Sequence, residues 1–187
     1  RPMKTLMQEL SETRGIADTG GPFVIAEMSG NHNQSLDRAL AIVDAAAATG
    51  AHALKIQTFT PDSMTLDLAE GEFTVTNPKS LWYGRTLYDL YQEGQTPADW
   101  HAPIFARARE RGVLCFSTPF SEDAVELLES LDAPAYKIAS FEAVDLPLIA
   151  RVARTRRPMI VSTGMASAAE IAEAVECARD NGCTNLT

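Results

Sequence analysis

The chain has 187 residues, 45% of them hydrophobic and 22% charged, so it is long enough and apolar enough to form a globular core. Its net charge of −9 argues against nucleic acid as a partner, since surfaces that bind nucleic acid are basic. No uninterrupted apolar run reaches the ~18 residues of a membrane span, and the three cysteines lack metal-ligand spacing, which indicates free thiols in a reducing cytoplasm.

Strand and helix patterns alternate along almost the whole chain after a polar lead-in segment, 1–22. The first helix is marked by Ser35, a candidate N-cap, and by Gly50, which ends the pattern. Residues 59–96, hereafter the excursion, leave the pattern and are rich in Pro, Gly and aromatic residues, as functional lids and interfaces often are. Strands are predicted at 23–28, 53–58, 113–117, around Lys137, at 158–162 and from residue 184, and helices at 35–49, 97–111, 122–131, 146–154 and 167–181.

The alternation of apolar strands with helices predicts an α/β fold with a parallel sheet, either doubly wound or a (β/α)8 TIM barrel. We favour the barrel because polar residues follow every strand, and barrel enzymes build their sites at the carboxyl ends of many strands. The first strand also lacks the Gly-rich turn of dinucleotide-binding sheets. Residues 23–187 are predicted to form the amino-terminal portion of the barrel, about five and a half βα units, without the strands that would close it. The polar residues at the strand ends are Glu27, Gln57, Thr58, Ser117, Thr118, Ser140, Glu142, Ser162 and Thr163.

Lys55 and Lys137 lie inside two of the apolar strands, where an ammonium group is costly unless an anion pairs with it. A phosphate or carboxylate group of an anionic substrate would satisfy both lysines, and a structural ion pair inside the barrel is the alternative. Thr118, Ser140 and Ser162 each follow a strand and precede a helix, so their hydroxyls either bind phosphate oxygens or cap the helices.

Glu27 and Glu142 are the candidate acid/base or metal-orienting carboxylates, and a salt bridge to one of the lysines is the alternative for Glu27. Asn31 and His32 in the first loop could bind sugar hydroxyls, and packing within the loop is the alternative for His32. His101, near a helix start, is predicted at the surface. No trio of histidine and carboxylate side chains has metal-ligand spacing, so no metal site is predicted within this chain.

The chain resembles the sialic acid synthase family of N-acetylneuraminate synthase-like enzymes in five segments that occur in order, 23–33, 54–58, 116–120, 136–142 and 162–165. The branch that it resembles most, through 60–67 and 81–88, is that of pseudaminic acid synthase. The resemblance implies a TIM-barrel domain that condenses phosphoenolpyruvate with an N-acetylated amino sugar, releases phosphate and forms a nine-carbon 2-keto acid. In this branch the sugar would be 2,4-diacetamido-2,4,6-trideoxy-altrose and the product pseudaminic acid.

The resemblance also implies roles for individual residues. Glu27 matches the family's first-strand glutamate, near the sugar and the new bond, and Glu142 would orient water or a metal. The positions implied to bind phosphoenolpyruvate are Lys55, Thr118, Lys137, Ser140 and Ser162, with Gln57 in the same motifs.

The family uses a divalent metal, manganese or magnesium, whose histidine ligands lie on later strands. Its carboxy-terminal antifreeze-like domain reaches the partner's site in a domain-swapped homodimer. We therefore expect this chain to be part of a longer cytoplasmic enzyme and to be inactive alone. The alternatives that stay open are an N-acetylneuraminate or legionaminate synthase, an ulosonate-phosphate synthase, a Schiff-base aldolase that uses Lys137, and a non-catalytic sugar-phosphate-binding domain.

Overall fold

The computed structural model describes residues 22–187, so the predicted lead-in segment lies outside the described residues except for Pro22. Five parallel strands form one sheet in the order β1-β2-β3-β4-β5, so that neighbours in sequence are neighbours in the sheet. In a doubly wound sheet the strand order reverses at a switch point, whereas in a barrel the strands follow one another in sequence order. The sheet has the sequence order, and the predicted barrel-type fold is confirmed as a curled half-barrel. The strands are β1 (Ile25–Glu27), β2 (Ala53–Thr58), β3 (Leu114–Pro119), β4 (Tyr136–Ile138) and β5 (Met159–Val161).

The five predicted helices are all present, with bounds within one residue of those predicted at each end. The first begins as predicted, because the Ser35 side chain accepts a hydrogen bond from the amide of Arg38. The α-helices among the described residues are α1 (Leu36–Ala48), α2 (Pro61–Met64), α3 (Leu87–Gly94), α4 (Ala98–Glu110), α5 (Glu122–Ser130), α6 (Leu146–Ala153) and α7 (Ala168–Asp180), with 3-10 turns at Gly71–Phe73 and Phe141–Val144.

Alternate residues of each strand face opposite sides of the sheet. On the convex side, Leu54, Ile138 and Met159 join the main apolar core beneath the helices. On the concave side a smaller buried cluster forms an apolar floor to the half-barrel, and its members are Ala53, Leu114, Phe116 and Ala135. Polar side chains at the carboxyl ends of the strands therefore stand above a packed floor.

The excursion has its own structure, which includes α2, α3 and an antiparallel bridge between Thr74 and Thr86. It packs on the first βα loop, where the amide nitrogen of the Gln34 side chain donates to the backbone oxygens of Glu93 and Gln95, both at 2.8 Å. These hydrogen bonds hold the excursion beside the loop that follows β1.

The last residues begin to pair with β5, as the sequence predicts for a sixth strand. The amide of Met159 donates to the oxygen of Asn185, and the amide of Thr187 donates back to the oxygen of Met159, both at 2.9 Å. This parallel bridge continues the order of the sheet. None of the helices in the described part of the chain has the length and apolarity that crossing a bilayer requires.

The prediction that His101 lies at the surface is wrong, because its side chain is 1% exposed. Its Nδ1 lies 3.0 Å from the backbone oxygen of Pro97, which can only accept, so Nδ1 carries the proton. Nε2 therefore accepts from the hydroxyl of Thr58 at 2.9 Å. These two hydrogen bonds join α4 to the end of β2.

Candidate functional site

Strand register brings most of the predicted site residues to the concave face of the half-barrel. Glu27 is paired with Lys55, and Gln57 is paired with Thr118. Paired residues of parallel strands share a face of the sheet. Because Ser117 pairs with Tyr136, the next residues along, Thr118 and Lys137, also lie side by side.

Lys55 and Glu27 form an ion pair with an Nζ to Oε2 distance of 2.5 Å, and the Lys55 side chain is only 17% exposed. Lys55 also donates to the hydroxyl of Thr118 at 3.3 Å. The salt bridge that the sequence left open as an alternative for Glu27 is thus present. It leaves Lys55 linked to one acceptor on β1 and one on β3.

Lys137 lies near Lys55 on the same face, and its ammonium donates to the backbone oxygen of Ile138 at 2.6 Å. Burial lowers the pKa of Lys137, and the positive charge of Lys55 lowers it further, against the opposing effects of Glu142 and Glu27. Two ammonium groups that repel one another at the mouth of the half-barrel would both be stabilised by a bound dianion.

Glu142 lies in the 3-10 turn after β4, and one of its carboxylate oxygens is buried without a hydrogen bond among the described residues. Burial raises the pKa of Glu142, and the charge of Lys137 partly offsets this. A buried acceptor without a partner is costly, so it marks a place where a water or substrate hydroxyl would be stabilised.

The three candidate hydroxyls at strand ends do not cap helices. Ser121, Asp145 and Ser167 provide the side-chain caps of α5, α6 and α7. Within residues 22–187 the side chains of Gln57, Ser140 and Ser162 make no hydrogen bond, so their donors are available to a ligand. The hydroxyl of Thr118 accepts from Lys55 and can still donate.

Two other polar residues at strand ends, Thr58 and Ser117, face the helices. Their hydroxyl oxygens lie 2.6 Å apart and are buried, and Thr58 also bonds to His101. Since Thr58 donates its proton to His101, the single proton of Ser117 is shared between the Thr58 hydroxyl and the backbone oxygen of Ile56, which lies 3.1 Å away. This buried network joins β2 to β3 behind Gln57 and Thr118. Alternation along the two strands could have predicted it, since it places Thr58 and Ser117 on the face opposite to Gln57 and Thr118.

The first loop places its two candidate residues differently. His32 is fully buried, its Nδ1 accepts from the amide of Gln34 at 3.2 Å, and its Nε2 therefore donates to the hydroxyl of Thr96 at 3.3 Å. Burial lowers the pKa of His32. Asn31 is exposed, and its side-chain nitrogen donates to the backbone oxygen of Met28 at 2.8 Å. His32 occupies the packed position that the sequence left open as its alternative, and Asn31 is the more accessible of the two.

Asn31 lines a cavity of about 920 Å³ between the first loop and the excursion. The aromatic side chains of Trp82 and Tyr91 line this cavity, and Ser29 lines it from the side of β1. The hydroxyl of Ser29 lies 3.4 Å from the carboxylate of Glu27. The cavity therefore adjoins the ion pair of β1 and β2.

The family resemblance implies a divalent metal, but the described residues do not provide a set of side chains that could bind it. Among residues 22–187, no group of three or more His, Cys, Asp or Glu side chains is arranged to hold a metal ion. Glu27 is engaged with Lys55, and Glu142 lies beside Lys137. We therefore assign no chemical step to a metal through these residues.

Known proteins match both the sequence and the fold. Residues 42–187 match the NeuB family. The chain is 47% identical to pseudaminic acid synthase of Helicobacter pylori, covering 84% of this chain and 46% of that protein. It is 33% identical to N,N'-diacetyllegionaminic acid synthase of Legionella pneumophila, covering 82% of this chain and 43% of that protein. The chain thus spans less than half the length of these relatives.

A similar fold is found in the crystal structure of N-acetylneuraminic acid (sialic acid) synthetase from Leptospira borgpetersenii serovar Hardjo-bovis in complex with citrate. The TM-score is 0.74 with 25% identity, and the match covers 86% of this chain and 51% of that chain. The resemblance that the motifs predict is therefore supported by both sequence and structure.

Proposed function

The chain belongs to the NeuB family, and on that premise we propose that the complete protein containing it condenses phosphoenolpyruvate with an N-acetylated amino sugar. The observation that carries the proposal is the convergence of Lys55 and Lys137 on the concave face, beside hydroxyl groups with free donors. Phosphoenolpyruvate carries both a phosphate and a carboxylate, so it matches two cations with surrounding hydrogen-bond donors.

In this proposal the phosphoenolpyruvate end of the site is formed by strands β2 to β5. Lys55 and Lys137 neutralise the anionic groups, and since both side chains are partly buried, water screens this attraction less than it would at an open surface. Neutral donors complete the hydrogen bonds to the oxygens, and they are Gln57, Thr118, Ser140 and Ser162.

The reaction forms one carbon–carbon bond and breaks one carbon–oxygen bond. The methylene carbon of phosphoenolpyruvate bonds to the aldehyde carbon of the sugar, and the aldehyde oxygen gains a proton. Water adds to the resulting cation, loses a proton, and phosphate leaves with cleavage of its C–O bond. Glu27 would lie near the new bond, and Glu142 would orient the water through its unpartnered oxygen.

We propose that the sugar enters from the cavity between the first loop and the excursion. The aromatic side chains of Trp82 and Tyr91 and the amide of Asn31 suit a sugar that carries apolar methyl groups and acetamido groups. The higher identity to a pseudaminic acid synthase than to a legionaminic acid synthase supports 2,4-diacetamido-2,4,6-trideoxy-altrose as the substrate.

The remaining features of the proposal come from the family resemblance of the motifs. We propose that the chain is the amino-terminal part of a barrel domain, and that the remaining strands and a carboxy-terminal domain complete a cytoplasmic, domain-swapped homodimer. A divalent cation would then be bound by residues beyond those described. On this view the chain alone is inactive.

The test uses the complete protein with phosphoenolpyruvate and a panel of N-acetylated amino sugars, with phosphate release and product mass as readouts. The Lys55→Met variant should weaken phosphoenolpyruvate binding about 10- to 100-fold, the range expected for a lost charge-assisted hydrogen bond. Lys79→Met, on the exposed part of the excursion, is the matched control and should bind normally. Wild-type affinity in the Lys55 variant would overturn the proposed site.

A Schiff-base aldolase remains the rival reaction, since it would also use a strand lysine. Borohydride added with substrate would trap Lys137 covalently in that case, whereas the proposed synthase gives phosphate release and no adduct. A covalent adduct on Lys137 would show that the aldolase mechanism is correct and the proposed synthase mechanism is wrong.

A further inference from the structure

Gly164, in the loop after β5, lies directly against the side chain of Ser140 in the turn after β4. A Cβ atom built on Gly164 would lie 2.4 Å from the Cβ of Ser140 and 2.6 Å from its hydroxyl oxygen. Both distances are far inside van der Waals contact, and the Cβ of Ser140 is fixed to the backbone. Only glycine fits here without displacing Ser140.

Ser140 is otherwise weakly held. It is the N-cap residue that precedes the 3-10 turn, but its side chain makes no capping hydrogen bond. The amide of Ser162, two residues before Gly164, donates to the backbone oxygen of Ile138, two residues before Ser140, at 3.0 Å. The hydrogen bond and the glycine contact together fix the loop after β5 against the turn after β4.

We propose that Gly164 is a positioning residue, which sets the Ser140 hydroxyl relative to Ser162 so that both bind the same anionic group of phosphoenolpyruvate. This inference rests on the proposed function, because it assigns the two hydroxyls to that substrate. Gly164 would act through Ser140, since the three heavy atoms nearest to a Cβ built on Gly164 all belong to that residue. A shift of the Ser140 hydroxyl by a fraction of an ångström is enough to misalign a binding group.

The test compares Gly164→Ala with Gly112→Ala in the complete protein. Both glycines have positive φ, +34° and +71°, so both alanines carry backbone strain, but a Cβ on Gly112 meets nothing within 4 Å. Titration calorimetry should show a phosphoenolpyruvate dissociation constant at least tenfold higher for Gly164→Ala and within twofold of wild type for Gly112→Ala. The KM for the sugar should change less than twofold in both.

A second pair of variants separates positioning from general packing. In a Ser140→Gly background no Cβ or hydroxyl remains for the added methyl group to meet, so introducing Gly164→Ala there should change the dissociation constant less than twofold. A further tenfold loss in that background overturns the inference. If Gly164→Ala alone does not fold, recovery of folding in the double variant supports the contact, and failure of the double variant to fold overturns it.

The same titrations distinguish this inference from the proposed function. Loss of phosphoenolpyruvate binding in Lys55→Met together with normal binding in Gly164→Ala rejects only the role of Gly164. Normal binding in Lys55→Met rejects the proposed site itself.

Discussion

Burial sets the ionisation of the carboxylate beside Lys137. Glu142 has one buried oxygen without a partner among residues 22–187, and burial raises its pKa. From its ordinary pKa of 4.5 upward, the folded protein therefore binds more protons at this group than the unfolded chain does. Stability falls as the pH rises through that range.

Replacing Glu142 by glutamine should therefore stabilise the protein at pH 7 more than at pH 4, where the carboxyl group is protonated in both states. The gain at pH 7 is expected because glutamine carries no charge, so the penalty of partly burying the carboxylate charge is removed. Urea unfolding of the complete protein at both pH values measures it. Glu176→Gln, exposed on α7, is the control, and an equal gain at both pH values would contradict the assignment.

The burial of His101 is a property that could have been predicted from the sequence. It falls on the same face of α4 as Ile104, Phe105 and Ala108, at the spacing of a buried helical stripe, so its burial was predictable. The Glu27–Lys55 pair was foreseen only as one of two alternatives. Residue type and strand pattern do not fix which acceptor a lysine reaches, because this depends on the register between strands.

At the scale of elements, His101 connects α4 to the polar network of β2 and β3. Burial lowers the pKa of His101, so the folded state favours the neutral ring. As the pH falls through 6.5, the unfolded chain takes up a proton that the folded protein resists, and stability is lost.

His101→Ala should lower the free energy of unfolding by about 2 kcal/mol at pH 7, since it removes a buried hydrogen-bonded side chain. It should also reduce the loss of stability between pH 7 and pH 5. Urea unfolding across this range tests both effects. His52→Ala, at the other end of the sheet, serves as the control, and an unchanged pH slope in the His101 variant would exclude this role.

The excursion is the element that the sequence described least well. Its lack of a sustained period marked it as irregular, yet it contains α3, where Thr86 caps the helix and Leu87, Leu90 and Tyr91 share a face. A short helix bounded by loops gives too few turns for a clear pattern. Its packing on the first loop depends on contacts distant in sequence, which no local pattern contains.

If the sugar lies against the excursion, Trp82→Ala should raise the KM for the sugar about tenfold, comparable to the loss of one aromatic contact. The dissociation constant of phosphoenolpyruvate should stay within twofold. Leu81→Ala is a close control, because Leu81 is the neighbouring residue but is 98% exposed. If the KM for the sugar and the dissociation constant of phosphoenolpyruvate both rise, or if neither rises, the sugar does not bind against Trp82.

At the scale of the whole molecule, the alternation of strands and helices was sufficient to predict the architecture. The parallel sheet, the five helices between its strands and the opening of a sixth strand all follow from short apolar runs and helix caps. The curvature that gathers the lysines on one face is a property of the assembled sheet and is invisible in any single segment.

The described half-barrel exposes apolar side chains on the loops that follow β4 and β5. Phe141 is 75% exposed, Val144 55% and Met165 74%. Residues 22–187 produced alone should therefore associate, because contact between copies would bury these exposed apolar side chains. Light scattering after size exclusion should show species larger than a monomer, and substituting Phe141 and Met165 by serine should reduce their proportion. A uniform monomer would contradict this expectation.

The order of the strands also bears on the chain during its synthesis. Among residues 22–187, each strand after β1 pairs with the strand made just before it, so this sheet can assemble in the order of synthesis. Glu27 and Lys55 lie on the first two strands, so both are synthesised before Thr118 and Lys137. The counter-ion of Lys55 is therefore already part of the growing chain when this lysine is made.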